Sequence, residues 1–295
     1  MAKYALLRER LVQQMPAIQM HEALAASVDV LAQVHTPRYI QAVIHGGLSA
    51  EGQREIGFPW SAAMAERACR SVGGTLQAAR AALLGGGVAA NLAGGTHHAY
   101  PDKGSGFCVF NDVAVAARQM QLEWSAPGHG HHQHPNGLKV AIVDLDVHQG
   151  DGSAFIFADD PTVFTLSLHG AKNFPVRKQH SDCDIELPDG CEDEAYLQAL
   201  EQGIEQLERR FKPDLILYLA GADPHEGDRL GRLAVTDSGM RSRDQRVFDW
   251  AFEHRVPVAM VMAGGYGRDI DTTLRVQVNT YHTALDYWHR WQALY

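Results

Sequence analysis

Asp146 and His148 stand two residues apart in Val143-Asp144-Leu145-Asp146-Val147-His148-Gln149-Gly150-Asp151-Gly152. An extended backbone points such a pair to one face, so a carboxylate and an imidazole share one direction. Asp223, in Gly221-Ala222-Asp223, is a candidate third donor. Two aspartates and one histidine with an open position for water suit catalytic zinc or ferrous iron. The Asp-x-His pair alone fits turn residues with local hydrogen bonds equally well. Gly94-Gly95-Thr96-His97-His98 places two imidazoles in sequence. Adjacent histidines reach one site only on a tight, glycine-enabled turn. There they can act as general base and as acid or electrostatic partner. Each needs a carboxylate to fix its tautomer, and Asp144 and Asp151 are the nearby candidates. A pair of surface histidines is the alternative. Tyr266, in Gly264-Gly265-Tyr266-Gly267, is either a phenol donating to a developing oxyanion or a loop aromatic packed on a neighbouring helix.

These residues follow apolar runs. Val140–Val143, Thr162–Leu166, Leu215–Leu219 and Val256–Met262 read as strands buried on both faces of a parallel sheet, with Pro257 tolerated only near a strand start. Val88–Ala93 is a further apolar stretch. Tyr196, Leu197, Leu200, Ile204, Leu207 and Phe211 form one apolar stripe at helical spacing, and Ile270 to Trp288 a closing helix. Phe107–Met120 and Ala62–Leu84 are expected to be helical, the second broken at Gly73-Gly74. Strand–helix alternation implies an α/β doubly wound sheet, mostly parallel and flanked by helices. Ligands of such sheets bind beyond the carboxyl ends of the strands. Four of these strand ends are polar here, which argues for one site along that edge.

The 295 residues carry 35 acidic against 26 basic side chains, a formal charge of −9. That balance argues against nucleic-acid binding. Four scattered cysteines, without C-x-x-C, read as free thiols of a reducing compartment. No apolar run is long enough to cross a bilayer, and the amphipathic start is not a signal peptide. A cytoplasmic protein is expected. The histidine-rich segment 127–137 reads as an exposed loop.

Taken together, GGTHHA, GFCVFND (Gly106 to Asp112), VDLDVHQGDG, SLH, AGAD…GDRLG and AGGYG resemble the histone deacetylase superfamily, most clearly over residues 60–290. HQGDG, GDRLGRLAVT and RVPVAMVMAGGY are most similar to class IV and its bacterial relatives. The resemblance implies one arginase/deacetylase-type α/β domain over 1–295 and zinc-dependent hydrolysis of acyl amides on lysine-like amines. Its substrates would be acyl-lysine proteins or peptides, or small acylated amines such as acetylpolyamines. By position, it makes Asp146, His148 and Asp223 the zinc ligands (ferrous iron being the alternative ion). It places Asp144 behind His97 and Asp151 behind His98, and has Tyr266 polarise the acyl carbonyl. Gly106, Phe107 and Phe174 would line a narrow channel. Structural potassium would be held by Asp144, Asp146, His148, Ser167 and Leu168. Family chains usually begin with a strand, whereas this one starts at MAKYALL. That leaves a sheet edge to be exposed or covered in a homo-oligomer.

Two rivals are weighed against this. A binuclear ureohydrolase needs D-x-H-x-D, and position 150 is glycine, although His225 stands two residues after Asp223. A catalytically dead acyl-lysine reader should have lost a ligand or the tyrosine, and all are present. Neither G-x-S-x-G nor a P-loop occurs.

Overall fold

A computed structural model describes residues 2–125 and 137–294. The histidine-rich segment falls almost wholly outside them. Six parallel strands form the sheet: β1 (Val88–Asn91), β2 (Val140–Asp144), β3 (Val163–Gly170), β4 (Cys183–Leu187), β5 (Leu215–Leu219) and β6 (Val258–Val261). Their order across the sheet is β1-β6-β5-β2-β3-β4. Ten α-helices lie among the described residues. They are α1 (Ala2–Gln14), α2 (Val28–Leu31), α3 (Pro37–His45), α4 (Ala50–Ile56), α5 (Ala62–Ala81), α6 (Asp112–Ser125), α7 (Asp151–Phe157), α8 (Asp193–Arg210), α9 (Asp237–Glu253) and α10 (Ile270–Gln292).

The strands bury both faces, as their unbroken apolar runs require. In β2, Ala141 and Val143 join a core with Leu7, Tyr218, Met260 and Leu274. Val140 and Ile142 face the other way, into a core with Ile40, Val113, Leu217 and Val261. One apolar layer therefore forms on each side of a single sheet.

From β2 the chain winds outward through β3 to β4, and after β5 it winds the other way to β6. The winding reverses between the neighbouring strands β2 and β5, so the crevice of a doubly wound sheet opens beyond their carboxyl ends. Asp144 pairs with Leu219 across this junction, and with Ser167 on its other side. The segments 145–148 and 220–223 therefore emerge side by side.

Several expectations need correction. Gly73-Gly74 does not break α5. A Cβ on Gly73 would lie 1.6 Å from the Leu24 carbonyl oxygen, so the glycine serves a close crossing of chains. The helix expected from Phe107 begins only at Asp112. Phe107 is held at φ +67°, outside helical space, and the Asn111 side chain caps the true start by accepting from Ala114 N (3.0 Å). β3 runs through Gly170, so Ser167 and Leu168 lie within the strand. β4 goes unread although Cys183-Asp184-Ile185-Glu186-Leu187 alternates apolar and polar residues, the pattern of a short strand with one face towards the core. Among the described residues, α1 precedes the first strand, and β1 is the last strand on its side of the sheet. No described helix is long and apolar enough to cross a membrane. All four cysteines are free and buried.

Candidate active site

Asp146, His148 and Asp223 offer one ligand atom each, all within 4.8 Å of one another. Backbone amides aim the carboxylates. Asp146 Oδ2 accepts from Gly264 N (2.7 Å), and Asp146 Oδ1 from His148 N (2.9 Å). Asp223 Oδ1 accepts from Val147 N (2.9 Å). His148 Nδ1 lies 2.9 Å from Asp146 Oδ1 and 3.4 Å from Asp223 Oδ2. Asp223 Oδ2 is buried and has no hydrogen-bond partner. A buried carboxylate oxygen without a donor is costly unless a cation meets it. Two carboxylates and one imidazole are donors that a divalent ion such as zinc or ferrous iron accepts, so these residues fit a divalent ion.

Protonation tells the same story. Burial, and then the charge of Asp146, push the Asp223 carboxyl up to about 6. Burial by itself would lower His148, but its hydrogen bond to Asp146 and the nearby charge of Asp223 raise it to about 10. An imidazolium wedged between two carboxylates supplies the positive charge that an ion would supply in its stead.

Gly264 closes one wall of this cradle. A Cβ there would stand 2.0 Å from Asp223 Oδ2 and 2.6 Å from Asp146 Oδ2. Gly264→Ala is therefore expected to weaken binding of a divalent ion at least tenfold, with the fold retained. Isothermal titration of Zn2+ into both proteins checks this.

His97 and His98 leave the turn that follows β1. Asp112 builds that turn by accepting from Gly95 N (3.0 Å) and Thr96 N (2.7 Å), with Gly94 and Gly95 both left-handed. The two rings lie 4.1 Å apart. His97 Nδ1 is 2.6 Å from Asp144 Oδ2, and its Nε2 faces Asp146 Oδ1 at 3.9 Å. His98 Nδ1 is 2.6 Å from Asp151 Oδ1. An ionised carboxylate only accepts, so each Nδ1 carries hydrogen. Burial lowers both imidazoles. In His97 the charges of Asp144 and Asp146 overcome it and raise the group to about 9. In His98 the neighbouring His97 adds to burial, and the group falls to about 4.

Tyr266 packs 6.1 Å from the Phe107 ring, and its backbone N donates to Asp228 Oδ2 (2.6 Å). Burial, with nearby charges including Asp146 and Asp223, raises its phenol above the ordinary range. Phe107 and Phe174 are 49% and 42% exposed, unusual for phenylalanine. Phe174 meets His98 edge-on at 4.9 Å, and Gly106 lies between these two rings. Ser167 stands beside Asp144 in the sheet, and its hydroxyl meets His169 Nδ1 at 2.9 Å. Leu168 is fully buried. His225 is turned away from the cradle. Its Nδ1 accepts from Gly227 N (2.9 Å) and its Nε2 lies 3.2 Å from Asp237.

Sequence reading missed three participants. Asp228, within GDRLG, fixes the Tyr266 backbone as described. Asp112 holds the histidine turn. Lys3, at the far end of the chain, donates to Gly265 O (3.3 Å) and lies 4.7 Å over the Tyr266 ring. Nothing in the sequence near Lys3 announces that placement.

Comparison with known proteins gives the family and the fold. The histone deacetylase domain matches residues 1–281, and the chain belongs to that family of deacetylase hydrolases. An uncharacterized protein of Picosynechococcus sp. is 49% identical over 240 residues, covering 81% of this chain and 76% of the relative. The acetoin utilization protein AcuC of Bacillus subtilis is 38% identical over 232 residues, covering 72% of this chain. The match spans only 57% of that relative's length. The crystal structure of a histone deacetylase homologue from Aquifex aeolicus superposes with a TM-score of 0.76 at 25% identity, covering 94% of this chain and 77% of the other.

Proposed function

We propose that this protein is a metal-dependent deacylase that hydrolyses the acyl amide on a lysine side-chain amine of proteins or peptides. One observation carries the reading: a largely buried Asp146–His148–Asp223 cradle, with an orphaned carboxylate oxygen, stands beside two histidines each held by its own carboxylate. Zinc is the ion we assign, and when bound it lowers the pKa of water towards about 7 and polarises an amide carbonyl. Potassium, assigned by family resemblance to Asp144, Asp146, His148, Ser167 and Leu168, would be structural.

The chain's own groups do the rest. His98 is neutral at pH 7 with Nδ1–H engaged by Asp151, so Nε2 is free to take a proton from the attacking water. His97, held by Asp144, carries the proton that the departing amine needs. Tyr266 donates its hydroxyl hydrogen to the acyl oxygen as negative charge builds there. Phe107, Phe174 and Gly106 offer apolar walls to the methylene stem of lysine. The products are a free amine and a carboxylate.

The protonation states set a pH dependence. His98, lowered to about 4, stays a competent base throughout the neutral range. His97, raised to about 9, holds its proton until the pH approaches that value, and a cation nearby moves the limit downward. Activity is therefore expected to fall on the alkaline side, at or below about pH 9. Tyr266 does not contribute, since its phenol titrates higher still. In kcat/KM profiles, His97→Asn should lack this limb; an unchanged limb assigns it elsewhere.

The reading itself is tested with a panel of acyl-lysine peptides and acetylpolyamines, assayed with wild type and Tyr266→Phe. Release of acyl groups from the peptides by wild type supports it. Turnover of acetylpolyamines alone makes the protein a small-amine deacetylase, and turnover of neither overturns the reaction class.

A further inference from the structure

Arg243 has no solvent exposure, and among the described residues it is the largest fully buried side chain. It lies at mid-helix in α9, behind the sheet. Its Nη1 donates to the Gly221 carbonyl (2.6 Å), and its Nε donates to Asp244 Oδ1 (2.9 Å). Asp244 is in turn held by the Tyr218 phenol on Oδ1 (2.5 Å) and the Thr280 hydroxyl on Oδ2 (2.6 Å). One ion pair thus joins α9, α10, β5 and the segment that leaves β5.

That segment is the one that matters. Gly221 precedes Asp223 by two residues, and a Cβ on it would lie 2.8 Å from both Asp146 Oδ2 and Asp223 Oδ1. The open side of Gly221 therefore faces both carboxylates of the cradle with no room for a side chain, while its carbonyl accepts from the guanidinium. Burying an ion pair is a poor route to stability, because desolvation offsets the attraction. A rigid guanidinium fork is, however, well suited to fixing a carbonyl in place.

We propose that Arg243, braced by Asp244, is a positioning residue that fixes the Gly221 peptide and so sets the spacing between Asp146 and Asp223. This inference rests on the metal-site reading above. Lysine at this position keeps the charge but loses the fork. Methionine paired with asparagine removes both charges together, leaves no unpaired ion, and keeps an acceptor for Tyr218, while its amide can donate to the Thr280 hydroxyl, which turns to the Val276 carbonyl.

The test uses full-length wild type, Arg243→Lys and Arg243→Met/Asp244→Asn. Each is titrated with Zn2+ against a chromophoric chelator, and with Co2+ while its visible absorption is recorded. Both variants are expected to bind Zn2+ about 10–100-fold more weakly, as for other groups that orient metal ligands, and to show an altered cobalt spectrum. A folded variant whose Zn2+ affinity lies within about twofold of wild type and whose cobalt spectrum superposes would overturn the inference, even if its melting temperature had dropped. If the double variant does not fold, Arg243→Lys decides alone. Failure of wild type to take up Zn2+ would instead overturn the metal reading on which the inference stands.

Discussion

Asp223→Asn is expected to abolish deacylation while leaving the metal-free protein at least as stable as wild type. The side-chain oxygen that accepts from Val147 N survives the change, so the loop keeps its anchor. What disappears is a negative charge that burial and Asp146 already push up to about 6. Relief of that repulsion offsets the weakened contact with His148 (3.4 Å), and the change removes a buried carboxylate oxygen that has no hydrogen-bond partner. Binding of the ion suffers in proportion. If zinc affinity resembles the roughly 10–16 kcal/mol of structural sites and three ligands share it, one ligand is worth about 3–5 kcal/mol, or about 10²–10⁴-fold. Melting curves with and without Zn2+ separate the two effects. Wild type should melt higher with the ion, because binding to the folded state alone adds stability. The variant should show little shift at the same Zn2+ concentration, and an equal shift in both proteins would remove Asp223 from the site.

Tyr266→Phe carries the second large effect, and of the opposite kind. The phenylalanine ring can keep its contact with Phe107 and its place beneath the Lys3 ammonium. Only a hydrogen-bond donor is lost, and it acts where negative charge develops. Loss of such a donor typically lowers kcat by about 10²–10³. Because the interaction is made chiefly in the transition state, KM should change little. Zn2+ affinity should be unchanged, since Tyr266 is no ligand. A variant with normal kcat and a raised KM would make the tyrosine a wall of the channel rather than a participant in the reaction.

The chemistry was legible where side chains of unusual type follow directly on apolar runs. Asp146 and His148 are readable because strand geometry makes residues two apart share a face, and Asp223 because β5 must end near it. His97 and His98 are readable because glycines precede them. Residues whose roles depend on long-range contact were not. Lys3 reaches Gly265 across 262 positions, and its neighbours spell an ordinary amphipathic helix. Arg243 and Asp244 look like a solvated pair in a polar helix, and only the packing of α9 and α10 against β5 buries them. Local grammar misled twice, for the same reason. Gly73 was read as a helix breaker when it admits a crossing chain, and Phe107 as helical when surrounding structure holds it at positive φ. In both places tertiary contact overrides propensity. β4 was legible in principle, since its five residues alternate apolar and polar as an edge strand does, but so short a run stands out only once it pairs with β3.

The metal cradle is tested most directly by anomalous X-ray diffraction at the zinc edge from crystals grown with Zn2+. One peak is expected per chain, about 2.0–2.2 Å from one oxygen each of Asp146 and Asp223 and about 2.0–2.1 Å from His148 Nδ1. A second zinc peak beside it, or no peak among these three side chains, would contradict the account.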